Sequence, residues 1–216
     1  MKYTFIIVIS LLEFKLNSQT TVTDVSGNIY KTVKIGNQIW MAENLRTEKF
    51  NNGDPIPQIT SNRYWQEISV KEFENSTLDV IYPAMCFYNN EKGKDNALYN
   101  FYTVVDSRGL CPAGWHIPLG DEYVDLINSF SENDDVVSKL KLSVGFNALA
   151  MGGRTGDGVF GGKNEYTLFW TESIEEKENE YTNLKYVKPF LFHLEDFEIS
   201  SEGIFNCGAS VRCIKN

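Results

Sequence analysis

The chain has 216 residues, with 29 acidic and 20 basic side chains, a net charge of −9 and an aromatic fraction of 13%. This length allows one domain or at most two small ones, and the aromatic content suits a dense, β-rich core. An acidic surface repels phosphates and anionic lipid, which excludes nucleic acid and membrane surfaces as favoured partners.

Residues 1–18 read as a secretory signal, and residues 19–216 as the exported domain. Lys2 supplies the positive start, and residues 5–12 form an apolar run too short to span a bilayer. Glu13 and Lys15 depart from the ideal pattern, and no cysteine stands at the junction to carry a lipid. The competing reading is a buried N-terminal strand. The expected location is secreted or cell-surface.

Residues 22–24, 29–35 and 38–42 read as strands separated by the turn dipeptides Ser26-Gly27 and Gly36-Asn37. NNGDP at 51–55 is a turn cluster, and Ser61 is placed to cap a short helix bearing Tyr64, Trp65 and Ile68. Residues 71–79 read as a polar surface loop with a glycosylation sequon at Asn75. A strand over 84–88 carries Cys86, a charged turn covers 89–96, and an aromatic-rich segment covers 97–105.

The stretch GLCPAGWHIPLGDEYVDL (109–126) organises the rest. Pro112 fixes φ and Gly114 permits a tight turn, so Trp115 is held in one direction. After Pro118 and Gly120, Asp121 is expected to cap a helix whose Tyr123, Leu126, Ile127 and Phe130 form one apolar stripe. Asp134 or Asp135 caps a second short helix with Val136, Val137 and Leu140.

Residues 152–162 are glycine-rich and read as an irregular surface loop. Residues 166–171 form a strand centred on Trp170, and residues 174–180 an acidic, solvated loop. Residues 185–193 and 197–199 are expected to pair across a turn at Glu195-Asp196, and residues 207–214 to close the chain as a strand. There is no internal repeat and no Pro/Ser-rich linker. Strands, two helices and further strands together give a single α+β domain.

Four cysteines remain beyond the leader: Cys86, Cys111, Cys207 and Cys213. An even count outside the cytosol favours disulfides, and four cysteines allow three pairings. The working expectation is Cys111–Cys213 with Cys86–Cys207. Cys207 and Cys213 lack a CxxC spacing, which argues against zinc.

VKIGNQIWMAENLR (33–46), ALYNFYTVVDSRGLCPAGWHIP (97–118), GFNALAMGGR (145–154), FWTES (169–173) and SVRC (210–213) together resemble the Fibrobacter succinogenes major paralogous domain family of secreted and surface bacterial proteins. The resemblance implies a fold like that of C-type lectins and the formylglycine-generating enzyme. In that fold a helix pair packs on a looped, mainly antiparallel sheet, and the chain ends lie close together. It implies architecture more than activity. Thr171-Glu172 stands where the family usually shows two serines, Ala209 replaces an expected Phe, Leu119-Gly120 replaces a polar helix-start pair, and Cys207 is an addition to the pattern.

No metal is expected. His116 and His193 are far apart in apolar neighbourhoods, and Asn89, Asn90, Glu91 and Asp95 lack an EF-hand order. The sugar-binding Glu-Pro-Asn and Trp-Asn-Asp motifs of calcium-dependent lectins are absent. There is no GxSxG elbow and no GxxxxGK[ST] loop, so no nucleotide or other cofactor is implied. The cysteine chemistry of formylglycine-generating enzymes is disfavoured, because the cysteines here are assigned to bridges.

Arg154, Trp170 and Glu172 flank the glycine-rich segment and are the candidate ligand contacts on the loop face. The competing reading pairs Arg154 with an acidic neighbour and puts Trp170 in the core. The expected function is a non-catalytic binding module for a glycan or a surface protein. The alternatives are a structural component of a fimbria-like assembly and a hydrolase with an acid pair drawn from Glu172, Glu195 and Asp196.

Overall fold

A computed structural model describes residues 20–70, 82–172, 174–179, 182–187, 189–199 and 207–216. The expected signal at 1–18 and the sequon at Asn75 lie outside these residues. The order of elements is mixed α+β and the pairing is mostly antiparallel. No helix among the described residues is long and apolar enough to cross a membrane.

The first sheet starts from β1 (Thr21–Thr23), β2 (Ile29–Ile35) and β3 (Gln38–Met41), a meander made by the turns at Gly27 and Gly36. Both glycines have positive φ, 85° and 57°, and the Cβ of any other residue at Gly36 would run into Ser129. Ser61 caps α1 (Asn62–Val70) through its hydroxyl, which accepts from the Tyr64 amide at 3.3 Å. β4 (Met85–Phe87) and β5 (Ala97–Tyr99) form a separate two-stranded ladder joined through a charged turn. α2 (Phe101–Val104) follows at once, capped by Asn100.

β6 (Trp115–His116) leads into α3 (Gly120–Asn128). Asp121 does not cap α3: the helix begins one residue earlier, and Glu122 reaches back to accept from the Leu119 amide at 2.8 Å. α4 (Val136–Lys141) is capped by Asp135, which accepts from Ser138 N at 3.1 Å. Tyr123, Leu126 and Leu140 from these helices pack with Trp40, Phe146, Phe169 and Phe190 into one aromatic core. Tyr123 stacks on Phe190 at 4.4 Å between centroids, and Trp40 meets Phe146 edge-on at 5.4 Å.

The glycine-rich segment is not an irregular loop. It is a hairpin of β7 (Met151–Arg154) and β8 (Phe160–Lys163). Its glycines serve close approach: a Cβ at Gly152 would collide with the Gly161 carbonyl and the Tyr88 ring. β9 (Tyr166–Phe169) lies beside β7 and pairs antiparallel with β12 (Phe190–His193), which in turn pairs with β13 (Phe197–Ile199).

Two further expectations are corrected here. The acidic 174–180 segment is not a free loop, because β10 (Ile174–Asn179) pairs with β11 (Thr182–Val187) in a two-stranded ribbon of its own. Residues 185–193 are not one strand either. Pro189, which has no amide to donate, stands between β11 and β12.

The chain closes with β14 (Ile214–Lys215), which sits inside the first sheet in the order β1-β2-β3-β14-β6. Ile214 pairs with both Trp40 and His116. Residues 211–213 are not a strand, but they zip along the N-terminal half: Leu45 N donates to Val211 O at 2.9 Å and Met41 N to Cys213 O at 3.0 Å. Cys213 is disulfide-bonded to Cys111, with Cα atoms 6.0 Å apart across a sequence separation of 102. The expected second bridge is absent. Cys86 and Cys207 are buried thiols that face different parts of the interior, Cys86 the cluster around Trp65 and Cys207 the cluster around Trp170.

Arg212 shows how this closure is held. It is wholly buried, lies over Phe146 at 4.6 Å and Phe169 at 5.3 Å, and donates to Asn44 Oδ1 and to the carbonyls of Met41, Phe146 and Asn147. Burial lowers its pKa to about 10. The guanidinium therefore pins 41–44, 146–147 and the closing segment to one another by backbone acceptors.

Candidate functional site

Of the residues expected to touch ligand, two are interior. Trp170 is fully buried, and its indole donates to Tyr99 O at 2.7 Å. Arg154 is 1% exposed and lies over Trp65 at 4.5 Å and Phe160 at 4.8 Å. Among the described residues Arg154 pairs with no carboxylate. Its donors go to the carbonyls of Gly158 at 3.0 Å, Ile59 at 2.6 Å and Thr60 at 3.3 Å, and to Asn62 Oδ1 at 3.0 Å. A guanidinium engaged this way ties the β7–β8 turn to the segment around the start of α1.

Glu172 is exposed, and its amide donates to Pro118 O at 2.9 Å. That bond brings it to the disulfide corner. There it lines a cleft of about 290 Å³ together with Asn51, Asp106, Ser107, Trp115 and His116 over an apolar wall that includes Val104, Leu110 and Ile117. The corner forms locally: Trp115 N donates to Pro112 O at 2.9 Å, and Gly114 takes φ 78°, which L side chains avoid. Gly109 has φ 74°, and a Cβ there would press on the Asn51 amide, which donates to Cys111 O at 2.6 Å.

Most ionisable groups at the rim are already engaged. Arg108 lies over Phe50 at 3.9 Å and binds Asp106 at 2.8 Å and Asp54 at 3.2 Å. The Arg108 fork holds the Asp106 carboxyl below its usual range. Asp54 is lowered by its hydrogen bond from Asn52 and then by Arg108. His116 has acceptors on both ring nitrogens, Asn216 Oδ1 at 2.7 Å on Nδ1 and the Glu122 carboxylate at 2.9 Å on Nε2. Burial works against its charged form, but these two acceptors and the nearby Glu172 charge outweigh it, so its pKa is raised.

An imidazole clamped on both nitrogens cannot shuttle a proton without breaking a contact, and Asp106 is held ionised by a guanidinium. Glu172, Trp115 and Ser107 differ from their neighbours: none makes a side-chain hydrogen bond or ion pair among the described residues. Glu172 follows the Phe169–Phe190 end of the β9–β12 ladder, whereas Glu195 and Asp196 follow the Tyr166–His193 end. Among the described residues no group of three or more His, Cys, Asp or Glu side chains is placed to hold a metal ion.

The sequence pointed to Glu172 but missed the residues it joins. Trp115 and His116 were read as corner architecture. Asn51, Asp106 and Asn216 carry no local signal, because only the tertiary fold brings them to one rim. The Leu119-x-x-Glu122 spacing, read as a reverse cap, was the one accessible clue to the His116 contact.

A family comparison matches the Fibrobacter succinogenes major domain over residues 33–215, and the chain belongs to that family. Neither the curated proteins nor the solved structures give a match.

Proposed function

We propose that this member of the Fibrobacter succinogenes major domain family is an exported, surface-exposed module with a C-type-lectin-like fold that binds a glycan or a protein without turning it over. The cleft beside the Cys111–Cys213 bridge is its ligand site. What carries the reading is the contrast at that rim: Asp106 and His116 are hydrogen-bonded to Arg108 and Glu122, while an exposed carboxylate and a half-buried indole line the same small cleft with no side-chain hydrogen bond or ion pair among the described residues. Binding residues sit disproportionately on loops held by a rigid scaffold, which the disulfide supplies here.

The test compares the wild-type chain with Trp115→Ala on a glycan array and in pull-downs from bacterial surface extracts. The reading expects a specific ligand that the variant loses while its circular dichroism is unchanged. A blank array together with blank pull-downs at high protein concentration, or capture that Trp115→Ala does not alter, would refute it.

A further inference from the structure

The unengaged groups of the cleft define what it can hold. Glu172 offers one anionic acceptor, Trp115 a half-buried indole that is the main apolar surface, and Ser107 a hydroxyl, above the nearly buried side chains of Val104, Leu110 and Ile117. A sugar ring buried here would bring several hydroxyls to a site with three spare polar groups, and each unpartnered hydroxyl costs free energy. An alkylammonium has the opposite profile, with a long apolar stem and one compact charge. Lysine stems lie along apolar surface with the head group displayed, and an ammonium is attracted both to a carboxylate and to an indole face. The volume of about 290 Å³ is at the small end for ligand pockets and accommodates one side chain rather than an oligosaccharide.

We propose that the cleft receives the primary ammonium of a lysine side chain on a basic protein partner, with Glu172 as its counter-ion and Trp115 as its aromatic face. This rests on the binding-module reading above and narrows it to one ligand chemistry. Among the other charges near the rim, Arg108 is matched by Asp106 and Asp54. Two groups compete with an incoming cation: His116, bound to Glu122 but also acted on by the Glu172 charge, and the exposed Lys215, across the ladder from Trp115. The chain's net charge of −9 favours approach of a basic partner over longer range, in a salt-dependent way.

The experiment uses the indole resonances of the isotope-labelled protein. Trp40, Trp65 and Trp170 are fully buried, so Trp115 is the tryptophan that reports on the cleft, and Trp115→Phe identifies its signal. The probe is Nα-acetyl-lysine methylamide, with its Nε-acetylated form and N-acetylglucosamine as neutral controls. The expected result is a saturable, salt-sensitive movement of the Trp115 signal by the lysine probe alone. It should weaken by up to about fivefold in Glu172→Gln, as loss of one exposed ion pair implies, and strengthen in Lys215→Gln. Both substituted residues are exposed, so folding is not at stake. No movement, equal movement by the acetylated probe, or a response unchanged in Glu172→Gln overturns the inference. Movement by N-acetylglucosamine alone also overturns it but leaves the binding-module reading standing. That reading falls only if the array and pull-downs are blank as well.

Discussion

Removing the Cys111–Cys213 bridge should bring the protein close to its unfolding threshold. The bond closes a loop with a sequence separation of 102. In the chain-entropy model a loop of that length restricts the unfolded ensemble by about 4.7 kcal/mol, out of a total stability of roughly 5–15 kcal/mol for a domain. Cys111 and Cys213 are 5% and 0% exposed, so the Cys111→Ala/Cys213→Ala variant avoids burying polar atoms in their place. Equilibrium urea unfolding, followed by far-ultraviolet circular dichroism, should show the midpoint falling by roughly 1.5–2.5 M for an m-value near 2–3 kcal/mol/M. The m-value itself should rise, because the uncrosslinked chain is more expanded when unfolded. A loss under about 1 kcal/mol would refute the reasoning, since it would mean that β14 holds its place in the sheet without the covalent constraint.

Other expectations follow from buried charge and buried phenols. Arg212→Met should cost several kcal/mol, at about 1–3 kcal/mol for each carbonyl or amide oxygen left without a donor, and a thermal-melt difference under a few degrees would contradict it. The Cys86 and Cys207 thiols, pushed by burial up to about 11 and about 12, should resist a maleimide in the native state and both react after unfolding in denaturant; rapid native labelling, or no labelling after unfolding, would be inconsistent with two buried thiols. Tyr30, Tyr99 and Tyr123 have pKa values raised chiefly by burial. Their contribution is fully present below the unfolded phenol value near 10 and is lost as pH climbs toward the folded values, so their phenolates should form only together with unfolding. Three phenolates that form reversibly in the folded state would contradict this. His116 is likewise raised, so its contact with Glu122 should stabilise most below about pH 6.5 and fade as pH rises through the folded value. The pH dependence of melting should flatten in that window in Glu122→Gln, and an unchanged profile would show that the contact carries no linkage.

The parts of the fold legible in the sequence were those with local causes. The first meander announces itself through Gly27 and Gly36, which only glycine turns tightly enough to serve, and α3 through the stripe of Tyr123, Leu126 and Ile127. Composition misled where backbone pairing decided the outcome. Glycines at 152 and 162 read as looseness, yet they allow a hairpin to pack against Tyr88 and Tyr166. The glutamates of 174–178 read as a solvated loop, yet strand pairing satisfies backbone groups whatever the side chains. Arg154 and Arg212 were hidden for a different reason. A charged residue is read as surface by default, and their burial depends on acceptors distant in sequence, from 59–62 for Arg154 and from 41–44 and 146–147 for Arg212. The same holds for the cleft, where residue 51, the 104–117 corner, residue 172 and the C-terminal Asn216 meet only once β14 has closed the sheet.

The most direct test is a crystal structure of the protein with whichever ligand the array or pull-down identifies. The account predicts ligand atoms in the cleft at the disulfide corner, within hydrogen-bond reach of the Glu172 carboxylate and against the Trp115 ring. Ligand seated elsewhere, such as on the β7–β8 turn with the cleft empty, would contradict it.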